Sequence, residues 1–442
     1  MKLLLRLLVL AASALPAGAM AQAPAAQTEA LTLARLEQLA LENNPTARAA
    51  QAAIDAARER ASQAGAWPNP IAGYTAEEIA TRGSVDPRGV QGFFVEQTIL
   101  LGGKLSLGRA VFERAADEAT ARAQLQRQRI VSSVRTMFYQ VLTTERRIEV
   151  HERLAALGSE ATGVTAQLFN VGAADRPDFL ESEIETRRVQ LELNAARNQM
   201  FALRQQLAAV AGVPDVAIRA LVGSIDEVIP ELERDATLLA LIERSPQVQA
   251  ARAAIARTQA QTALARRETY PDLFLRGGAV YNREHGEDTH QAIGWEGQIE
   301  AGISIPLFNR NHGGIAAARA EETVAHAELT RLQLALRAQA ASEFATYLTA
   351  IRSAESFRAD ILPRAEQAYT LYLARYREMG AAYPQVLVAQ RGLFEMAREY
   401  LNHLDDAWHS ALRLQGLLAG EGLDAPDGSA QTIEASTRIG RE

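Results

Sequence analysis

Cysteine is absent from this chain of 442 residues, and lysine nearly so, with Lys2 and Lys104 the only two. Without cysteine there is no disulfide, so an exported chain of this size must hold together by packing or oligomerisation. The same absence removes the usual attachment point for an N-terminal bacterial lipid. After the first twenty residues no run of ~18 apolar residues occurs, which excludes a transmembrane helix. Any contact with a membrane must then be made by strands. The formal net charge is −7, the wrong sign for a nucleic-acid partner. Nearly all the positive charge is arginine, which reads as a base-composition bias more than as chemistry.

What is present begins with a secretory signal. MKLLLRLLVLAASALPAGAMA carries Lys2 and Arg6, then an apolar stretch, then small residues around Ala19-Met20-Ala21, the layout of an A-x-A cleavage site. Pro16 and Gly18 break the apolar run too early for a lasting span. Residues 1–21 are therefore expected to be removed, leaving a mature chain that starts at Gln22 outside the cytoplasm.

The rest is a tandem repeat. NNPTARAAQAAIDAA (43–57) matches RSPQVQAARAAIART (244–258), WPNP (67–70) is echoed by YPD (270–272), and FNVGAADRPDFLESE (169–183) matches YREMGAAYPQVLVAQ (376–390). Between these lie two similar joints, EQTILLGGKLSLGRA (96–110) and GISIPLFNRNHGGIAAARA (302–320), each strand-like, then broken, then helix-like. The organisation reads as a first repeat over 22–212, with a hairpin at about 70–100, and a linker or equatorial segment over 213–235. A second repeat covers 236–420, with a hairpin at about 272–305, and a flexible polar tail occupies 421–442.

The segments after the joints are poor in breakers. From Lys104 to Asn170 there is no proline and glycine only at 108, 158 and 163, which predicts one helix of about 100 Å at ~1.5 Å per residue. Ile130, Val134, Phe138 and Val141 recur at helical spacing and mark its buried face, opposed by Arg127, Arg129 and Arg135. A similar helix is expected from Arg310 to Gly380. Pro363 falls inside it and should bend it or leave a carbonyl unpaired. Each Gly-Ala-Ala tip, Gly172-Ala173-Ala174 and Gly380-Ala381-Ala382, should reverse the chain through a left-handed glycine. Return helices then start near Pro177 and Pro384.

AIGWEGQIEAGISIPLF (292–308) alternates with period two. Ile293, Trp295, Ile299, Ala301, Ile303 and Ile305 point one way, Glu296, Gln298, Glu300 and Ser304 the other, as a strand with one apolar and one wet face requires. DLFLRGGAVYNRE (272–284), IAGYTAE (71–77) and VQGFFVEQTIL (90–100) are weaker strands. Four strands cannot close a barrel, and open edges are not tolerated in lipid. The barrel must be shared between chains: two chains give eight strands, three give twelve and room for a channel. The polar inner face favours the wet version. The strand–helix joints, Gly102-Gly103-Lys104 and Pro306-Leu307-Phe308, are then where the chain leaves the membrane for an aqueous compartment, twice because the chain is duplicated.

Paired hairpins, two very long helices, duplication and the Gly-Ala-Ala tips resemble the TolC-like outer-membrane efflux proteins. WPNP followed by EQTILLGGK is most similar to their heavy-metal branch, typified by CzcC. The fold class implied is an α+β membrane protein: a trimer with a shared transmembrane β-barrel, four strands per chain, continuing into a long α-helical coiled-coil barrel. The resemblance implies the outer membrane of a Gram-negative bacterium, extension into the periplasm, and a passive duct for divalent metal cations. It also implies a homotrimer in contact with outer-membrane lipid, a periplasmic membrane-fusion adaptor and an inner-membrane, proton-driven resistance-nodulation-division pump. The tips would be the adaptor-docking surface. Alternatives are the same duct exporting drugs or a type I secreted polypeptide, or a periplasmic coiled-coil scaffold; the strand at 292–305 speaks against the scaffold.

Chemical sites are few. Gly103-Lys104 fails the phosphate-loop pattern, because Thr98 and Leu105 stand where a glycine and a Ser or Thr are needed. His285, Glu287, Asp288 and His290 in HGEDTH could contact a divalent cation, although a solvated hairpin tip is the simpler reading. His151, His326, His403 and His409 are scattered on helices. Asp175 and Asp178 flank the first tip and, repeated by a three-fold axis, would form a ring of carboxylates favouring cations. The competing reading of Asp178 is a carboxylate answering the helix dipole, and Arg176 between the two would offset part of the charge. No nucleophile–base pair has a catalytic spacing, so neither enzyme activity nor a cofactor is expected.

Overall fold

The computed structural model describes residues 31–78, 89–214, 221–225, 229–285, 292–416, 418 and 422–424; the signal segment and most of the loop 285–290 lie outside them. Each half builds the same series. The first runs α1 (Leu33–Asn43), α2 (Pro45–Ala64), β2 (Ile71–Glu77), β3 (Val90–Ile99), α3 (Lys104–Asn170) and α4 (Arg176–Ala211). The second runs α5 (Arg234–Arg244), α6 (Pro246–Arg267), β5 (Leu273–His285), β6 (Ala292–Ile303), α7 (His312–Ser356), α8 (Leu362–Arg377) and α9 (Tyr383–Gln415). Both second helices, α2 and α6, begin with a proline, whose missing N–H is harmless at that position. In α2, Asn44 caps the end by accepting from the Thr46 N–H at 2.9 Å.

Helix α3 has 67 residues, about 100 Å at 1.5 Å per residue. Its expected face is buried as a block: Ile130, Val134, Phe138 and Val141 sit in one apolar cluster with Leu36, Leu207 and Trp408. At the edge of that face, beside Val134, Arg135 reaches Glu37 of α1 at 2.6 Å. A second cluster near the tips joins Leu154, Ala161 and Val189 to Tyr369, Tyr376, Tyr383 and Val386. A third packs α5 and α7 against the end of α9.

Four details differ from or add to the sequence reading. The second long helix starts at His312, and Pro363 does not simply kink it. One π turn, Phe357–Ile361, lies between α7 and α8, and the Leu362 N–H bonds to the Phe357 carbonyl five residues back. The wider turn absorbs a proline that lacks an N–H to give. The segment 213–235 holds a short strand, β4 (Leu221–Val222), which pairs in parallel with β1 (Leu31–Thr32). Finally, residues 422–424 at the start of the expected flexible tail are tied to the first repeat. The Gly422 N–H donates to Ser133 Oγ at 2.8 Å, and Gln126, almost wholly buried, donates to the carbonyls of Gly422 and Asp424.

The four long strands form one antiparallel sheet in the order β2-β3-β5-β6. The hairpins of the two repeats are thus stitched together through β3 and β5, with Val90 opposite Asn282 and Ile99 opposite Leu273. Strands β2 and β6 are left as edges.

Candidate functional site

Register decides which side chains share a face. On one face lie Ala72, Tyr74 and Ala76; Gln91, Phe93, Val95, Gln97 and Ile99; Leu273, Leu275, Gly277, Ala279 and Tyr281; and Trp295, Gly297, Ile299, Ala301 and Ile303. None of these carries a charge. Ile299 is 85% exposed, and Phe93, Val95, Trp295 and Ile303 are exposed too. The aromatic residues gather toward the hairpin ends, where Tyr74 meets Phe93 and Tyr281 meets Trp295 edge to face. At the other end Trp67, Tyr270 and Phe308 are exposed beside the joints. The opposite face carries Glu77, Glu96, Arg276, Asn282, Glu296, Gln298 and Glu300. The alternation read from 292–303 holds for Trp295, Ile299, Ala301 and Ile303. Ile305 lies beyond the strand, and Ile293 sits in the irregular stretch where the β5–β6 register shifts.

The two joints reach one backbone solution by different residues. Helix α3 is preceded by Gly103 at φ +75°, after Gly102 at φ +70°. A Cβ on Gly102 would press within 3.0 Å of Tyr270. Helix α7 is preceded by Asn311, also left-handed at φ +51°. Its side chain donates to the Ala265 carbonyl at 3.0 Å, which holds the strained residue in place. Pro306 is half-buried, Leu307 and Phe308 are exposed, and the Leu307 N–H closes a tight turn onto the Ile305 carbonyl at 2.9 Å.

Lys104 has a partner that no local motif predicts. Its Nζ lies 2.8 Å from Asp272 Oδ2, and Asp272 Oδ1 accepts the Leu101 N–H at 3.1 Å. The Asp272 carbonyl also accepts from Ser304 N–H at 3.0 Å. One aspartate of the second repeat therefore fastens both joints. Lys104→Met should lower the thermal midpoint of the purified protein by an amount equivalent to about 1.5–3 kcal/mol, the usual worth of a hydrogen bond to a charged group. Asp272→Ala should cost at least as much, since it also strands the Leu101 amide; differential scanning calorimetry in detergent checks both.

The tips hold a correction. Gly172 is left-handed at φ +73°, and the Ala173 N–H closes onto the Leu168 carbonyl at 2.8 Å. In the second tip the left-handed residue is Met379, at φ +56°, and Gly380 is not left-handed. The Gly380 N–H closes onto Arg375 at 2.8 Å, so Gly380 stands where Ala173 stands. The repeats align on Pro177 and Pro384, one residue out of step with the Gly-Ala-Ala match. Val171 and Met379, 75% and 72% exposed, project at the two turns. Ala173 and Ala382 are exposed, Ala174 and Ala381 half-buried.

Asp175 occupies the N-cap position of α4 and Asp178 its first turn. Partial burial, then the neighbouring Asp175 and Glu181, raise the Asp178 carboxyl above its ordinary value. Behind the tips, Glu185 is buried against Arg391 at 2.7 Å and Glu160 pairs with Arg377. Burial pushes the Tyr369 hydroxyl up to about 12, keeping it a donor to the Leu157 carbonyl at 3.0 Å. His151 is buried near Glu192, and burial lowers its pKa, favouring the neutral ring. His326, His403 and His409 remain apart on their helices. Among the described residues no cluster of three or more His, Asp or Glu could hold a metal, and no helix is long and apolar enough to cross a membrane. Glu287, Asp288 and His290 lie outside the described residues.

The model of the outer membrane efflux protein family matches the chain twice, over residues 36–213 and 238–420. The chain belongs to that family. It is 27% identical over 388 residues to the cobalt-zinc-cadmium resistance protein CzcC of Cupriavidus metallidurans, covering 88% of this chain and 90% of the relative. To the nickel-cobalt-cadmium resistance protein NccC of Alcaligenes xylosoxydans xylosoxydans it is 25% identical over 318 residues, covering 70% and 69%. Its fold is that of the outer-membrane channel OprN, at a TM-score of 0.73 and 17% identity over 89% of this chain and 91% of that one.

Proposed function

We propose that the protein is the outer-membrane duct of a three-part, proton-driven export system, and that three copies share one barrel. The observation that carries this reading is the sheet itself. It has one face free of charge up to Arg283 at the hairpin end of β5 and one rich in carboxylates, and it ends in two unpaired edges, β2 and β6. In lipid such edges must be closed by neighbouring copies, and three chains of four strands leave a wet lumen. The aromatic residues at both ends of the apolar face suit the two membrane interfaces. The chain would then leave the membrane at 102–104 and 306–308 and carry α3, α4 and α7–α9 into the periplasm.

The duct performs no covalent chemistry in this reading; a pump of the resistance-nodulation-division class in the inner membrane supplies the work. The six tips of a trimer, built on 172–174 and 380–382, form the socket for a periplasmic adaptor. Asp175 and Asp178, three copies each, place negative charge at that entrance, where it draws cations in. The raised Asp178 weakens this attraction as pH falls, because its carboxyl takes up a proton earlier than an ordinary aspartate. Divalent heavy-metal cations are the proposed cargo, supported by the likeness to CzcC and NccC.

The test is deletion of the gene and complementation with the full chain, scored by growth in graded cobalt, zinc and cadmium and, in parallel, in dyes and detergents. Loss of metal tolerance alone, restored by the chain, is the expected result. Loss of dye tolerance alone would assign the duct to drug export instead.

A further inference from the structure

We propose that Arg276 is a selectivity-determining residue of the duct: it tempers a belt of carboxylates so that cations are attracted without being trapped. The proposal rests on the shared-barrel reading above, which makes the charged face of the sheet the wall of the lumen.

The belt is defined by register. Arg276 on β5 lies directly opposite Glu96 on β3 and directly opposite Glu300 on β6. The three side chains share one face and one level, acid–base–acid, with the two glutamates about 10 Å apart at the usual ~4.8 Å strand spacing. Arg276 is the only basic residue on that face among the described residues, whereas Glu77, Glu96, Glu296 and Glu300 are acidic.

The guanidinium is held rather than free. Its Cζ sits 3.6 Å from the centroid of the Phe94 ring, and Nη1 lies 3.9 Å from Glu300 Oε2. Phe94 is itself laid flat by two glycines. A Cβ on Gly73 would come within 2.5 Å of the ring, and one on Gly278 within 3.2 Å of the Phe94 Cβ. Small residues, a flattened ring, a stacked arginine and an ion pair form one construction on the wall. Its effect is electrostatic. Each chain contributes one net negative charge to the belt, so a trimer carries three around the lumen. Without Arg276 the belt would carry six, and conduction requires that an ion be bound weakly enough to leave.

The test uses the full-length trimer reconstituted in planar bilayers, with reversal potentials read in a potassium chloride gradient and conductance titrated with cadmium chloride. Arg276→Gln should raise the cation-to-anion permeability ratio about threefold or more and make the potassium current blockable at a roughly tenfold lower cadmium concentration. Arg276→Lys, which keeps the charge, should match the wild type. The Glu96→Gln/Glu300→Gln variant should shift toward anions, and it reads the same belt should Arg276→Gln trimers fail to assemble. Conducting variants with unchanged reversal potentials would overturn the proposal and place selectivity elsewhere, while the shared barrel would stand. Wild-type protein that forms no conducting pore would overturn the shared barrel and this proposal with it.

Discussion

Ile299→Arg is expected to remove the assembled trimer from the outer membrane, while Glu300→Gln, its neighbour in sequence, leaves assembly at the wild-type level. Ile299 is the most exposed of the sheet's isoleucines, faces the same way as Val95 and Leu275, and lies opposite Gly277 midway along the β5–β6 pairing. An arginine facing lipid at mid-bilayer costs about 2–4 kcal/mol, and a trimer bears it three times. Ile303, opposite Leu273 at the joint end of the ladder, is near the interface, where the same change costs only ~0–1 kcal/mol. Ile303→Arg should therefore reduce assembly without abolishing it. The measurement is the yield of detergent-extracted trimer from outer-membrane fractions. Equal yields for all three variants would mean that the faces of the sheet are assigned the wrong way round.

The second large effect is expected at the first tip. Gly172→Val places a β-branched residue at φ +73°, a conformation that costs about 1–3 kcal/mol outside glycine. It should abolish export with normal trimer yield, because the sheet that would form the barrel lies about 100 Å away along α3. Gly380→Val meets no such strain, its new Cβ finding only the Arg375 carbonyl at 3.6 Å, and should leave most of the export intact. Met379→Gly should relieve strain of about 1 kcal/mol and keep function. Metal-tolerance growth and trimer yield, taken from the same cells, separate these outcomes. Equal loss from Gly172→Val and Gly380→Val would show that a partner reads the bulk of the tips and that the backbone conformation is secondary.

The alignment of the two tips shows where local pattern runs out. Gly-Ala-Ala occurs in both, and matching these triplets puts Gly380 at the reversal. A helix end is determined by which amide first fails to find its carbonyl four residues back, and nothing in three small residues fixes that to one position. Pro177 and Pro384 mark it better, because each must sit in the first turn of a return helix. Counting back from the prolines would have found Met379. Asp272 and Arg276 were hidden for another reason. Each looks like an ordinary surface charge until a segment more than 150 residues away in the chain is laid beside it, the first joint for Asp272 and β3 for Arg276.

By itself the sequence determined the features that depend on periodicity and on breakers: the duplication, the uninterrupted run from Lys104 to Asn170, the buried face through Ile130 and Phe138, and the apolar and wet faces of 292–303. These are local, because a 3.6-residue or two-residue repeat states its own geometry and a proline or glycine states where it stops. Only the tertiary structure decided that β3 pairs with β5, that Lys104 of one repeat answers Asp272 of the other, that a π turn takes up Pro363, and that residues 422–424 fold back onto Gln126 and Ser133. Each of these depends on which of several chemically similar partners is brought within reach. That choice is made by packing the two repeats against each other, where one arrangement satisfies the hydrogen bonds and buries the apolar faces together.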